Sequence, residues 1–507
     1  MQQALRPLFR AEQVRELDRR TIAAGIDGFS LMQQAASAAF DALRQRWPQA
    51  RRLSVLCGAG NNAGDGYVLA ALAVCDGFDV QLIALRDPES LDGDAGRAVA
   101  MARRVGLKPQ AWSADMRITG EVVVDALLGT GLSGEVREPF AAAIAAINAS
   151  ERPVLAVDIP SGLSADSGAM LGCAVEATLT TTFIADKLGL HTGAAVAHVG
   201  EHRLLTLGVD AARHGDLAAA AWLLDDAPDP LLAPRRRDSH KGDHGHLLVL
   251  GGAPGFGGAA LLASEAAARL GAGRVSLATA PEHVTASLVR CPEVMVHGLR
   301  GPADLASLLD GADAIAVGPG LGQGAWGQGM WQAALAAGKP LVVDADALNL
   351  LAGMASPPRR DDWILTPHPG EAAGLLGCSS REVQHDRPGA VAALARRYGG
   401  QWLLKGAGTL VGNEADLAVC PFGNPGMASG GMGDALSGIL GALVAQFGRA
   451  GGAGLGELAR CAAVLHARAA DLAAADAGER GLLAGDLASY ARRLANPRTS
   501  DVRDTAR

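Results

Sequence analysis

The sequence predicts an α/β protein of two domains, each a largely parallel sheet covered by helices, and three observations predict it. The 507 residues are too many for one ordinary hydrophobic core. Short apolar runs ending in glycine-rich or polar loops, each followed by a stretch of helical period, recur along the chain in the rhythm of βαβ units. That rhythm stops over residues 211–235, where an alanine-rich stretch gives way to Asp225-Asp226-Ala227-Pro228-Asp229-Pro230 and Ala233-Pro234. The expected domains are therefore residues 1–224 and 225–507.

The first domain opens with two helices over residues 11–47, the second carrying Leu31, Met32 and Phe40 on its apolar side. The strand Leu53–Cys57 runs into the loop Gly58-Ala59-Gly60-Asn61-Asn62-Ala63-Gly64-Asp65-Gly66, with a helix from Tyr67 to Val74. Further strands at Val80–Leu85, Val122–Asp125 and Val154–Asp158 complete a Rossmann-like three-layer domain. Ligands in such sheets bind beyond the carboxyl ends of the strands. Three polar loops converge there: 61–65, 125–135, and Asp158-Ile159-Pro160-Ser161-Gly162. The first lacks the third glycine of the dinucleotide fingerprint G-x-G-x-x-G, which disfavours bound NAD used for redox chemistry. Amide, carboxylate and hydroxyl oxygens suit a large monovalent cation or a hydroxyl-rich ligand better than zinc.

The second domain opens with Ser239-His240-Lys241-Gly242-Asp243-His244-Gly245-His246, the strand Leu247–Leu250 and a glycine-rich loop from Gly251. His244 and His246 are either half a metal site or two strand-start histidines. Lys405-Gly406-Ala407-Gly408-Thr409 is a turn between two strands, a backbone nest with one ammonium. His368, between Pro367 and Pro369, belongs in a turn. From Asn424 to Gly433 four glycines lead into a helix whose apolar face is Leu436, Ile439, Leu440, Leu443, Val444 and Phe447. The free N–H groups of that helix make an anion cradle. Asp434 at its lip is either a base for a substrate hydroxyl or an early-helix charge favoured by the dipole.

Composition limits the class. Apolar residues make up 49%, yet no run approaches the ~18 that a membrane helix needs. The start, Met1-Gln2-Gln3-Ala4-Leu5-Arg6-Pro7, has no signal-peptide core, so a cytoplasmic protein with no membrane partner is expected. Seven scattered cysteines without a C-x-x-C pair argue against a disulfide framework or a zinc site. A net charge of −8, with no basic cluster beyond Arg235-Arg236-Arg237, disfavours nucleic acid as partner. The chain has only five lysines, and Lys187, Lys241 and Lys405 in loop or glycine-rich contexts are the functional candidates, with Lys108 and Lys339 on the surface.

Four stretches of the first domain together resemble the NAD(P)H-hydrate epimerase family: Asn61-Asn62-Ala63-Gly64-Asp65-Gly66, 129–135, 157–163 and 183–190. Ala63 replaces the family's glycine, and an alanine there is strained by ~1 kcal/mol if the position needs positive φ. In the second domain, Gly318-Pro319-Gly320-Leu321-Gly322, 342–349, 366–371, 404–409 and 424–440 resemble the ribokinase-like superfamily, and within it the ADP- or ATP-dependent NAD(P)H-hydrate dehydratases. The resemblance implies a bifunctional enzyme. It interconverts the R and S forms of hydrated NADH or NADPH, then restores the S form to NAD(P)H at the expense of ADP or ATP.

By the same resemblance Asn62, Asp125 and Ser161 hold potassium. Asn61, Asn62, Ala63, Gly64, Asp65, Gly129, Thr130, Gly131, Leu132, Ser133, Gly134, Glu135 and Asp158 bind the hydrate, with Asp65 and Lys187 catalytic. In the dehydratase, Ala259, Gly320, His368 and Asp434 contact substrate, and Asp434 is the catalytic base. Lys405, Gly406, Ala407, Gly408, Thr409 and Gly433 take the nucleotide, and Glu371 and Asn349 lie near magnesium. A homo-oligomer is expected. The competing reading is a vitamin-precursor or sugar kinase of the same superfamily with a non-catalytic N-terminal binding domain.

Overall fold

The computed structural model describes residues 5–209, 216–226, 230–448 and 452–496. The chain divides into two compact units, one of Arg6–Trp222 and a second that begins at Leu223.

In the first unit, strands β1 (Arg6–Phe9), β2 (Arg52–Cys57), β3 (Asp79–Ala84), β4 (Gln110–Ala111), β5 (Val122–Ala126), β6 (Val154–Val157), β7 (Leu179–Phe183), β8 (Asp186–Lys187) and β9 (Glu201–Leu205) are interleaved with helices. These are α1 (Ala11–Ala23), α2 (Gly28–Arg46), α3 (Asn61–Cys75), α4 (Gly93–Arg104) and α5 (Phe140–Ala149). Seven strands form one sheet in the order β4-β3-β2-β5-β6-β7-β9, and every pair in it is parallel. β1 and β8 pair separately, also parallel. The order reverses at β2/β5, so the loops after β2, β5 and β6 meet beside a topological switch point. Apolar clusters cover both faces of the sheet.

One boundary differs from the sequence reading. Asn61–Gly66 is the first part of α3 rather than a loop before it. Gly60, at φ 76°, caps the helix and accepts the Gly64 N–H at 3.1 Å. Gly64 and Gly66 are close-packing positions, where a side chain would strike Met32 and Ala126. Ala63 is helical, fully buried and outside the set of residues with positive φ, so it carries no such strain.

Strand β10 (Ala221–Leu223) lies at the division. The second unit contains β11 (His246–Leu250), β12 (Arg274–Thr279), β13 (Met295–Gly298), β14 (Ala314–Val317), β15 (Leu341–Val343), β16 (Trp363–Leu365), β17 (Gln401–Leu404), β18 (Thr409–Gly412) and β19 (Leu417–Cys420). Its sheet runs β13-β12-β11-β14-β15-β16-β17-β18-β19. Pairing is parallel as far as β17 and antiparallel across the β17-β18-β19 meander. The helices are α6 (Gly257–Arg269), α7 (Val284–Arg290), α8 (Ala306–Gly311), α9 (Ala325–Ala336), α10 (Asp346–Ala352), α11 (Pro369–Leu376), α12 (Ser380–His385), α13 (Arg387–Tyr398), α14 (Met432–Phe447), α15 (Leu455–Ala477) and α16 (Ala484–Leu494). None of the described helices is long and apolar enough to cross a membrane.

Helix α14 is buried along most of its length and crosses α6 so closely that a methyl group on Gly438 would overlap the Ala263 carbonyl. Gly438→Ala is therefore expected to cost about 1–3 kcal/mol by forcing the helices apart. A fall in melting temperature checks this; an unchanged melt would mean that the crossing is looser than described.

Candidate active sites

In the first unit the switch-point loops and the helices α1 and α2 enclose a cavity of about 650 Å³. Asn61, Asn62, Asp65, Gly129, Thr130, Gly131, Leu132, Ser133 and Asp158 line it. Ala63 and Gly64 are buried in α3, and Gly134 and Glu135 follow the lining residues in the same loop. Asp158 sits at φ 68° and Ile184, also on the wall, at φ 65°. Left-handed backbone is costly for a β-branched residue and is characteristic of functional sites. Lys187 is fully buried and donates from Nζ to Asp158 Oδ1 at 2.6 Å and to Thr182 Oγ1 at 2.5 Å.

The residue before it anchors this lysine. Asp186 Oδ1 accepts from the Lys187 N–H at 3.0 Å and pairs with His191 Nε2 at 2.8 Å and His202 Nε2 at 3.2 Å. Burial alone would raise the Asp186 carboxyl, but the two imidazoles outweigh it and hold the group far below the usual carboxylate range.

On β5, Asp125 is fully buried and accepts from the Ser161 N–H at 2.8 Å, Ser161 Oγ at 2.6 Å and the Leu127 N–H at 3.2 Å. It makes no ion pair among the described residues, and burial pushes its carboxyl up to about 6. Neither side-chain atom of buried Asn62 has a hydrogen-bond partner among the described residues. A buried carboxylate, a hydroxyl and an unpartnered amide oxygen are hard donors that fit a potassium ion.

In the second unit the Lys405 ammonium is the centre. It donates to Asp344 Oδ1 at 2.8 Å, lies 3.7 Å from Glu371 Oε2, and keeps about a fifth of its surface, 21%. Asp344 Oδ2 accepts from Ser437 Oγ at 2.8 Å. Gly433 lies directly over this pair: a side chain there would meet Lys405 Nζ at 3.2 Å and Asp344 Oδ2 at 3.5 Å. Asp434 is next in the first turn of α14, pushed up to about 7 by burial and then by Asp344, against the pull of Lys405, with Asp346 and Glu371 adding to the rise. Three carboxylates, Asp344, Glu371 and Asp434, thus surround one ammonium. That excess of hard oxygen donors fits magnesium carried with nucleotide phosphates.

The turn 405–409 is held from below by Arg387, fully buried, whose guanidinium donates to the Leu404, Lys405 and Gly408 carbonyls at 3.1–3.5 Å. Burial lowers it to about 10, so it remains charged beneath the nest. Thr409 Oγ1 closes the turn on the Gly406 carbonyl at 2.9 Å. His368 caps α11: its Nδ1 accepts from the Gly370 and Glu371 N–H groups, while Glu371 accepts the His368 N–H at 2.7 Å. Gly320 and Ala259 are neighbours, with 3.2 Å between the would-be and real Cβ atoms. Asn349 is exposed on α10, whereas Asp346 on the same helix accepts the Gly322 N–H at 2.9 Å.

The two strand-start histidines do not form half a metal site. His246 is satisfied by the Gly311 carbonyl and Ser276 Oγ, both at 2.8 Å, and His244 by Ser239 Oγ at 3.1 Å. Arg235 reaches the Gly271 carbonyl and Gln446 Oε1, so the basic triplet is partly a fixed contact. Lys241 is exposed.

Sequence reasoning gave no role to Asp18, Asp344, Arg387, Ser437 or His466. Asp344 stands at a strand end and Ser437 three residues after Asp434, which are readable positions. Arg387 and His466 lie in helices, and only packing reveals them. His466 is buried and driven down to about 4 by that burial, against a hydrogen bond to the Met432 backbone.

Fold and sites define a two-unit α/β enzyme: a doubly wound domain with a polar switch-point cavity, and a larger domain in which a glycine-rich helix start lies over an acid–ammonium cluster. Comparison with known proteins identifies it further. The sequence model of the YjeF-related protein N-terminus matches residues 28–189 and that of NAD(P)H-hydrate dehydratase residues 247–493. The chain is 47% identical to the bifunctional NAD(P)H-hydrate repair enzyme of Coxiella burnetii, over 97% of this chain and 99% of that one. It is 44% identical to the enzyme of the same description from Escherichia coli, over 94% and 91%. A hypothetical protein of Streptococcus mutans of solved structure superposes on 54% of this chain and 98% of its own, with a TM-score of 0.50 at 29% identity. The chain belongs to the family of bifunctional NAD(P)H-hydrate repair enzymes and joins an isomerase to a lyase.

Proposed function

We propose that residues 1–224 interconvert the R and S epimers of hydrated NADH and NADPH, and that residues 225–507 phosphorylate the S epimer from ADP or ATP. Loss of phosphate then returns NAD(P)H and leaves AMP or ADP. The carrying observation is Asp434, a carboxyl raised to about 7 at the mouth of α14, beside the Lys405–Asp344 pair and under no side chain at Gly433.

The C6 hydroxyl of the hydrate is a poor leaving group. Asp434 takes its proton as the oxygen attacks the terminal phosphoryl group, the N–H groups at the start of α14 receive the phosphoryl oxygens, and the ring enamine nitrogen then expels phosphate. Lys405, Gly406, Ala407, Gly408 and Thr409 hold the nucleotide above the buried Arg387 charge. Ala259, Gly320 and His368 receive the hydrate. Asp344 and Glu371 would supply oxygens to magnesium, which would neutralise phosphate charge, leaving Asp434 free to act as the base. In the first domain Asn62, Asp125 and Ser161 hold potassium, the 61–65 and 129–135 segments with Asp158 bind the hydrate, and Asp65 and Lys187 act on it. We place the enzyme in the cytoplasm as a homo-oligomer with small-molecule substrates.

Because the base must be ionised, dehydration should fall about tenfold per pH unit below about 7. A pH–rate profile at saturating nucleotide checks this. A flat profile through the range pH ~5.5–8 would remove Asp434 from the role. Product analysis tests the whole reading: inorganic phosphate and NAD(P)H support it, whereas a stable phosphorylated product favours a kinase.

A further inference from the structure

Asp18 lies on α1, ahead of the residues 28–189 matched by the N-terminal family model and outside every motif of the sequence analysis. Helix α1 buries Val14, Leu17 and Thr21. Asp18, four residues after Val14 and three before Thr21, shares that side of the helix. A solvated acid belongs on the opposite face, yet Asp18 lines the cavity together with Asp65 and Asp158.

The charged groups around it come from four other elements or their ends: Asp65 on α3, Asp94 on α4, Asp158 after β6 and Lys187 on β8, with Arg15 on its own helix. Lys187 is committed to Asp158 and Thr182, and Arg15 is exposed and reaches the Thr130 carbonyl at 3.4 Å. No cation is thus dedicated to Asp18 or Asp65 among the described residues. Carboxyls that face one partly dry cavity raise one another's affinity for a proton. Burial and then Asp158 push Asp18 up to about 6, and burial, Asp158 and Asp18 hold Asp65 well above the usual carboxylate range.

We propose that Asp18 is a further catalytic residue of the epimerisation, exchanging a proton with the C6 hydroxyl of the hydrate while Asp65 serves the ring nitrogen. This rests on the epimerase reading of the first domain. The hydroxyl gives its proton to the Asp18 carboxylate and C6–O becomes a carbonyl. The C6–N1 bond breaks with its electron pair going to nitrogen, and N1 takes the proton of the Asp65 carboxyl. Rotation about C5–C6 turns the other face of the aldehyde to N1. Nitrogen returns its proton to Asp65 and attacks C6, and the oxygen recovers its proton from Asp18. Nothing is consumed, and the substrate leaves as its epimer.

The test uses the full-length chain with potassium and the pure R hydrate of NADH, without nucleotide, following R-to-S conversion above the spontaneous rate. Asp18→Asn should lower kcat at least about a hundredfold while KM changes less than about threefold, and Asp18→Glu should restore part of the rate with a displaced acid limb in the pH profile. Equilibrium dialysis of the hydrate against each variant reports whether the cavity is intact. An Asn variant within about threefold of wild type with the same pH profile, or one that no longer binds the hydrate, overturns the proposal. If the wild type itself does not interconvert the epimers, the epimerase reading fails instead.

Discussion

Asp434→Asn should lower the rate of dehydration by about 10²–10⁴ while the KM for nucleotide holds or falls. The amide keeps the shape of the carboxyl but cannot accept the hydroxyl proton. Removing one of three carboxylates around Lys405 also lessens repulsion toward phosphate, so nucleotide binding has no reason to weaken. The surrounding parts stay in place, because Lys405 remains bonded to Asp344 and Asp344 to Ser437. A loss smaller than about tenfold would reduce Asp434 to a helix-dipole charge. Initial rates of NADH formation from the S hydrate, at several ADP concentrations, decide it.

The second large effect belongs to the first unit. Asp158→Ala or Asn62→Ala should abolish epimerisation, on the order of a hundredfold or more, and remove its potassium dependence. Dehydration of the S epimer should be untouched. Asp158 holds the buried Lys187 ammonium, so its removal leaves that charge with Thr182 alone, and breaking such a pair costs roughly 3–5 kcal/mol. Asn62→Ala is the milder probe. It removes an amide that has no partner among the described residues, so little folding stability depends on it. Potassium titration of the R-to-S rate reads both variants, and a variant that keeps the wild-type rate and potassium response would mean that these residues are scaffold.

The sheets and strand-end loops were legible because short apolar runs and glycine-rich ends are local signals. The extent of α3 was not, since Gly64 and Gly66 read as loop residues until Met32 and Ala126 are seen pressed against them. For the same reason Ala63 was assigned a possible strain that a helical backbone removes. In the second unit, glycine spacing pointed to the start of α14 and the turn after β17. It could not reveal that Lys405 is committed to Asp344, a residue 61 positions away along the chain. Arg387 and Asp18 were missed because a charged residue in an amphipathic helix reads as solvent-facing; only tertiary packing turns one beneath the 405–409 turn and the other into a cavity.

One chain repairs both epimers by two separate chemistries. The most direct test of this is the progress curve of a mixture of R and S hydrates with ADP, magnesium and potassium. Wild type should run to complete NADH with release of inorganic phosphate, while Asn62→Ala should stop after the S fraction, apart from slow spontaneous epimerisation. If Asn62→Ala consumed both epimers as fast as wild type, or if phosphate stayed on a stable product, the account would be contradicted.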